Sequence, residues 1–93
     1  MTYDLRAGVS TAETDYGLTL LDERSGEYFS LNPTGALVLR TLLAGGTRKE
    51  AVVRLRVEYA VDVDKASQDV ADLIEALESA DLVTPQPAQG PPP

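Results

Sequence analysis

A chain of 93 residues is one domain's worth, large enough to bury a modest core and too small to hold much stability in reserve. Apolar residues make up 43% and charged residues 25%, with only four Tyr, one Phe and no Trp, so Leu, Val and Ala must build the core. The absence of Cys and His excludes disulfides, thiol nucleophiles, imidazole bases and the usual zinc sites, and a net charge of −7 disfavours phosphate-bearing partners.

The opening residues 1–6 lead into no apolar stretch of the kind a secretory signal needs. Nowhere do about 18 apolar residues run together, as a membrane span requires. A cytoplasmic protein with no membrane partner is expected. From Val9 to Glu13, small and β-tolerant residues predict a short edge strand, and Asp15-Tyr16-Gly17 a turn. Leu18 to Asp22 reads as a second strand with Leu18 and Leu20 on one face. Arg24-Ser25-Gly26 then reverses the chain into a third strand, Glu27 to Leu31. Phe29 and Leu31 share its core face, and Tyr28 and Ser30 share the other.

At Asn32-Pro33 the period changes from strand to helix. Asn32 can accept bonds from the free amides of a helix start, and Pro33 suits the first position because its missing N–H costs nothing there. The helix that follows is apolar nearly all round, which predicts a buried central helix ended by Gly45-Gly46. Thr47 and Glu50 have the spacing of a capping box. The helix behind them carries Ala51, Val52, Leu55 and Tyr59 on one stripe and Arg48, Lys49, Arg54 and Arg56 on the opposite face. A third helix begins around Asp62 to Asp64, with acids at the positive end of its dipole. Its predicted seam is Ala66, Val70, Leu73, Leu77 and Ala80, flanked by Ile74.

Beyond Val83 the sequence turns Pro-rich and has almost nothing to bury. The expected boundary is a folded domain over residues 1–84 and a disordered Pro-rich tail over residues 85–93. The fold class is α+β: a three-stranded antiparallel sheet followed by three helices, similar in its helical half to a winged helix-turn-helix.

Catalysis needs an activated nucleophile, a carboxylate pair or a metal cluster. The nearest candidate is the acid series Asp69, Asp72, Glu75 and Glu78, whose spacing of three walks round the outer side of a helix, as a solvated face does. Gly45-Gly46-Thr47 precedes a helix start but lacks the other glycines and the lysine of a phosphate loop. No enzyme, no cofactor and no metal site is expected.

Leu20-Leu21-Asp22, then Gly26-Glu27-Tyr28-Phe29-Ser30-Leu31-Asn32 and Gly35-Ala36 form one set of motifs. Leu42-Leu43-Ala44-Gly45-Gly46-Thr47, Tyr59, and Asp69-Val70 through Leu77 to Leu82-Val83 form a second. In this order and spacing, over residues 5–84, they resemble the PqqD-like family, the RiPP recognition elements that bind leaders of ribosomally made peptides. Within it the chain is most similar to the free-standing leader-peptide-binding subunits of lasso peptide biosynthesis. The Pro-Glu pair usual in PqqD itself ahead of the third strand is replaced by Ser25-Gly26-Glu27.

The resemblance implies a non-catalytic module that captures a precursor leader as an added strand beside the third strand, over a groove closed by the third helix. The implied partners are that leader, a leader protease and a cyclase. The candidate peptide-binding residues are Glu27, Tyr28, Phe29, Ser30 and Leu31 on the strand, with Asp69, Val70, Asp72, Leu73, Ala76 and Leu77 on the helix. Asp69 and Asp72 suit a lysine or a tyrosine hydroxyl of a leader, though they also fit an ordinary solvated face. Which shoulder of the third helix faces the strand stays open, as does which amides of the strand are free. Three other functions compete: a PqqD-type chaperone of a quinone-cofactor precursor, an enzyme-subunit or antitoxin-like interaction domain with no leader function, and a winged-helix DNA-binding protein. Against the last, residues 62–81 carry seven acids and one base, Lys65.

Overall fold

The computed structural model describes residues 2–86. In chain order these form β1 (Thr2–Leu5), β2 (Val9–Thr14), β3 (Gly17–Asp22), β4 (Glu27–Leu31), α1 (Pro33–Leu43), α2 (Arg48–Tyr59), α3 (Val63–Ser79) and β5 (Val83–Gln86). The expected three-stranded antiparallel sheet is β2-β3-β4, with β4 at one edge and β2 at the other. The three helices follow it, so the α+β architecture is as read from the sequence.

The helix ends form where local chemistry puts them. The Asn32 side chain accepts from the Gly35 amide at 2.8 Å, with Pro33 at the first turn of α1. Gly46 N–H bonds Thr41 O at 2.9 Å and Gly45 N–H bonds Leu42 O at 3.1 Å, closing α1 in a Schellman motif. That closure needs a left-handed residue, and Gly45 supplies it at φ 94°. The Glu50 amide bonds Thr47 Oγ1 at 3.1 Å, and Glu50 Oε1 accepts from the Thr47 amide at 3.3 Å. Asp62 caps α3 by accepting from the Lys65 amide at 2.8 Å.

The core is one cluster. Leu18 and Leu20 of β3 meet Ala36, Val38, Leu39 and Leu42 of α1, Ala51 and Leu55 of α2, and Ala66, Val70, Ile74 and Leu77 of α3. Fully burying a Leu, Ile or Val side chain is worth about 1.5–3 kcal/mol, so this cluster carries most of the favourable term of folding. On α3 the buried row runs through Ile74, which is 1% exposed, while Leu73 is only half-buried. This reverses the expected order of seam and flank. The two residues are adjacent and apolar, and the packing of α2 and α1 decides which turns inward.

A second sheet, β1-β5, was not expected. It pairs Leu5 with Val83 and Tyr3 with Pro85 across the two ends of the described chain. Tyr3 is 2% exposed, and its hydroxyl accepts from Arg48 Nη2 at 3.0 Å. Pro85 and Gln86 therefore belong to β5, so the boundary expected at residue 85 moves at least two residues on. The rest of the expected tail, residues 87–93, lies outside the described residues.

Candidate functional site

The geometry of β4 is set by its neighbour. The Glu23 amide donates to Gly8 O at 2.8 Å, continuing the β2–β3 ladder in which Leu21 faces Ser10 and Thr19 faces Ala12. Residues of a central antiparallel strand alternate the side to which they send their backbone groups. Gly17, Thr19 and Leu21 thus bond β2, and Leu18, Leu20 and Asp22 bond β4 through Leu31, Phe29 and Glu27. The N–H and C=O groups of Tyr28 and Ser30 are directed away from β3, along the sheet's open edge. No further strand pairs there among the described residues. An open row of backbone donors and acceptors is a template for another strand.

Beside the end of this edge lies a cleft of about 350 Å³. Asn32, Thr34 and Gly35 at the start of α1 and Val38 within it line the cleft from one helix, Lys65, Asp69, Asp72 and Leu73 line it from α3, and Leu55 of α2 completes the lining. Gly17 lets the β2–β3 turn pass close to the exit of β4. A Cβ there would lie 2.1 Å from Leu31 O, so a larger residue would push the β2–β3 hairpin off the exit of β4. The shoulder of α3 that faces this cleft is the one bearing Asp69, Asp72 and Leu73.

The cleft wall is acidic but partly paired. Lys65 Nζ bonds Asp69 Oδ1 at 2.6 Å, and Gln68 Nε2 donates to Asp72 Oδ1 at 2.7 Å. The hydrogen bond to Asp69, with the charges of Asp69, Asp72 and Asp62, holds the Lys65 ammonium above its ordinary pKa. Asp69 is half-buried and Asp72 exposed, and each keeps lone pairs for an incoming donor.

The expected site residues fall into three groups. Tyr28, which is 70% exposed, and Ser30 lie on the open edge, with Phe29 and Leu31 half-buried on the inner face and Glu27 exposed at the strand's start. Asp69, Asp72 and Leu73 line the cleft, and Ala76 is exposed one turn beyond Asp72. Val70 and Leu77, at 1% and 4% exposure, are core residues that hold α3 in place. The sequence reading omits Asn32, Thr34, Gly35 and Lys65 from the site. Asn32 reads first as a helix cap, and Lys65 reads only as the one base in an acidic segment, yet its spacing of four from Asp69 on a helix foretells their contact. Among the described residues no group of three or more His, Cys, Asp or Glu is placed to hold a metal ion, and no helix is long and apolar enough to cross a membrane.

The family model described as Coenzyme PQQ synthesis protein D (PqqD) matches residues 17–83. One similar solved structure is described as lasso peptide synthetase B1 complexed with the leader peptide. It is 40% identical, with a TM-score of 0.85, covering 91% of this chain and 100% of that one. Another, TbiB1 in complex with the TbiA(beta) leader peptide, is 27% identical with a TM-score of 0.80, covering 90% of this chain and 98% of that one. No curated protein matches the chain. The family match spans well over half of the sequence, and the chain belongs to the PqqD family.

Proposed function

We propose that this protein is a non-catalytic RiPP recognition element that captures the leader of a ribosomally made precursor, a lasso peptide precursor, and presents it to a leader protease and a cyclase. The observation that carries this is the open edge of β4, followed in sequence by Asn32 at a cleft walled by Asp69 and Asp72 of α3, in a chain 40% identical to a solved lasso peptide synthetase B1 complexed with the leader peptide. An extended leader adding beside β4 satisfies the Tyr28 and Ser30 backbone groups and sends alternate side chains toward Leu31 and the cleft. Asp69 and Asp72 would take up a lysine or a tyrosine hydroxyl by charge-assisted bonds. The protein brings no reactive group of its own, and it acts in the cytoplasm, where the ribosome releases the precursor.

The rival reading, service to a quinone-cofactor precursor, draws on the matching family description. The lasso structure covers that whole chain at 40% identity, which favours the lasso assignment. Titration calorimetry with the two classes of leader decides between them. Micromolar or tighter binding of a lasso leader of about twenty residues supports the proposal. No heat with it, or preference for the quinone-cofactor precursor, overturns it.

A further inference from the structure

Presentation requires a second surface, and α2 supplies one that leader capture leaves free. The chain has eight basic residues. Five of them, Arg6, Arg24, Arg40, Arg54 and Lys65, have a carboxylate partner. The three without one among the described residues, Arg48, Lys49 and Arg56, all lie on α2. Arg48 is engaged by the Tyr3 hydroxyl, so Lys49 and Arg56 are the uncommitted cations. Among the described residues, a protein of net charge −7 has therefore gathered its uncommitted basic side chains on one helix.

The same face is apolar between its charges. Lys49, Val53 and Val57 succeed one another at i, i+4 and form a single row, with Arg56 beside Val57. Val53 is 50% and Val57 76% exposed, a poor use of two β-branched residues in a helix unless something covers them. Shallow grooves flank the row on both sides. One of about 360 Å³ runs between α2 and α3 past Val52, Val63 and Ala71, and one of about 310 Å³ runs between α1 and α2 past Thr41 and Val53. Scattered surface valines need no explanation, but two in one row, between two grooves and beside uncommitted cations, make an interface in composition.

We infer that the Lys49–Val53–Val57 face of α2, with Arg56, docks a protein partner whose contact surface is apolar at its centre and carboxylate-rich at its rim. The charge asymmetry identifies that chemistry: a basic partner would be repelled here and drawn to the acidic remainder of the molecule. The groove beside Ala71 and the cleft at Asp69, Asp72 and Leu73 lie on opposite shoulders of α3, so both sites can be occupied together. The inference rests on the presentation role proposed above, and the partner it concerns is the leader protease.

The test compares the parent with two variants, Lys49→Glu/Arg56→Glu and Val53→Ala/Val57→Ala, each first verified as folded by circular dichroism. Calorimetry with the leader peptide and surface capture of the purified leader protease are then run in parallel. Both variants should bind leader within about twofold of the parent, and the charge reversal should weaken protease capture about tenfold or more, with parent capture falling as salt rises. Protease capture by both variants equal to the parent's overturns the docking face, as does failure of the parent itself to capture the protease. Loss of leader binding by the parent counts against the capture role instead, so the two failures are told apart.

Discussion

Ser30 of β4 stands directly opposite Thr19 of β3, in a pair that exchanges no backbone hydrogen bonds, because the Thr19 groups are committed to Ala12 of β2. The Ser30 amide is consequently free at the open edge, whereas that of its neighbour Phe29 is bonded to Leu20. Proline distinguishes the two positions. Ser30→Pro removes a donor that the folded domain does not use, so the melting temperature should change little while leader binding falls sharply. Phe29→Pro removes a ladder bond together with a half-buried aromatic side chain and should lower the melting temperature clearly. Thermal melts alongside calorimetry check both.

Leu73 and Ile74 should separate stability from binding. Ile74→Ala empties a fully buried site and should cost about 2–5 kcal/mol, whereas half-buried Leu73→Ala should cost less in stability and more in leader affinity. Asp69→Ala and Asp72→Ala should stay within about half a kcal/mol of the parent in stability, as surface changes do. At least one should weaken leader binding by about 1 kcal/mol or more through loss of a charge-assisted bond. Denaturant unfolding and calorimetry on the four variants give the comparison.

How far the sequence is legible depends on where each instruction is written. The helices are announced by neighbouring residues: Asn32-Pro33, Thr47 with Glu50, and Asp62 all act within one turn. The edge position of β4 and its candidate residues follow from strand order and from family resemblance. The β1-β5 sheet is invisible because its two four-residue strands come from opposite ends of the chain, and Pro85 reads as a breaker. Proline is tolerated there because a two-stranded sheet consists of edges. The Leu73–Ile74 reversal and the outward turn of Ser30 are tertiary facts, since either apolar residue fits the helical period and either amide parity fits the strand.

Truncation tests the unforeseen sheet. A chain ended after Gln86 keeps all of β5, while one ended after Leu82 loses buried Val83 and its pairing with Leu5. The shorter chain should melt several degrees below the longer, at about 4–8 °C per kcal/mol for a domain of this size. Equal melting temperatures would show that β5 contributes nothing to stability.

Acid should weaken the β3–β4 turn before the core. Burial of Asp22 acts to raise its pKa, but the bonds from the Arg24 side chain and amide outweigh it and hold the carboxyl below its ordinary value of 3.8. A depressed carboxyl contributes stability that is full at neutral pH and is lost as pH falls past the ordinary value toward the lowered one. The parent should therefore lose stability through this window, and Asp22→Asn should show a shallower loss. Thermal melts of both proteins from neutral to acid pH measure the difference.

Backbone amide exchange followed by NMR, with and without the precursor leader, tests strand addition at β4 most directly. Leader should slow exchange at Tyr28 and Ser30, the two open-edge amides, while Phe29 and Leu31, already bonded to β3, change far less. Unchanged exchange at Tyr28 and Ser30 under saturating leader, with new protection on β2 or α2 instead, would contradict it.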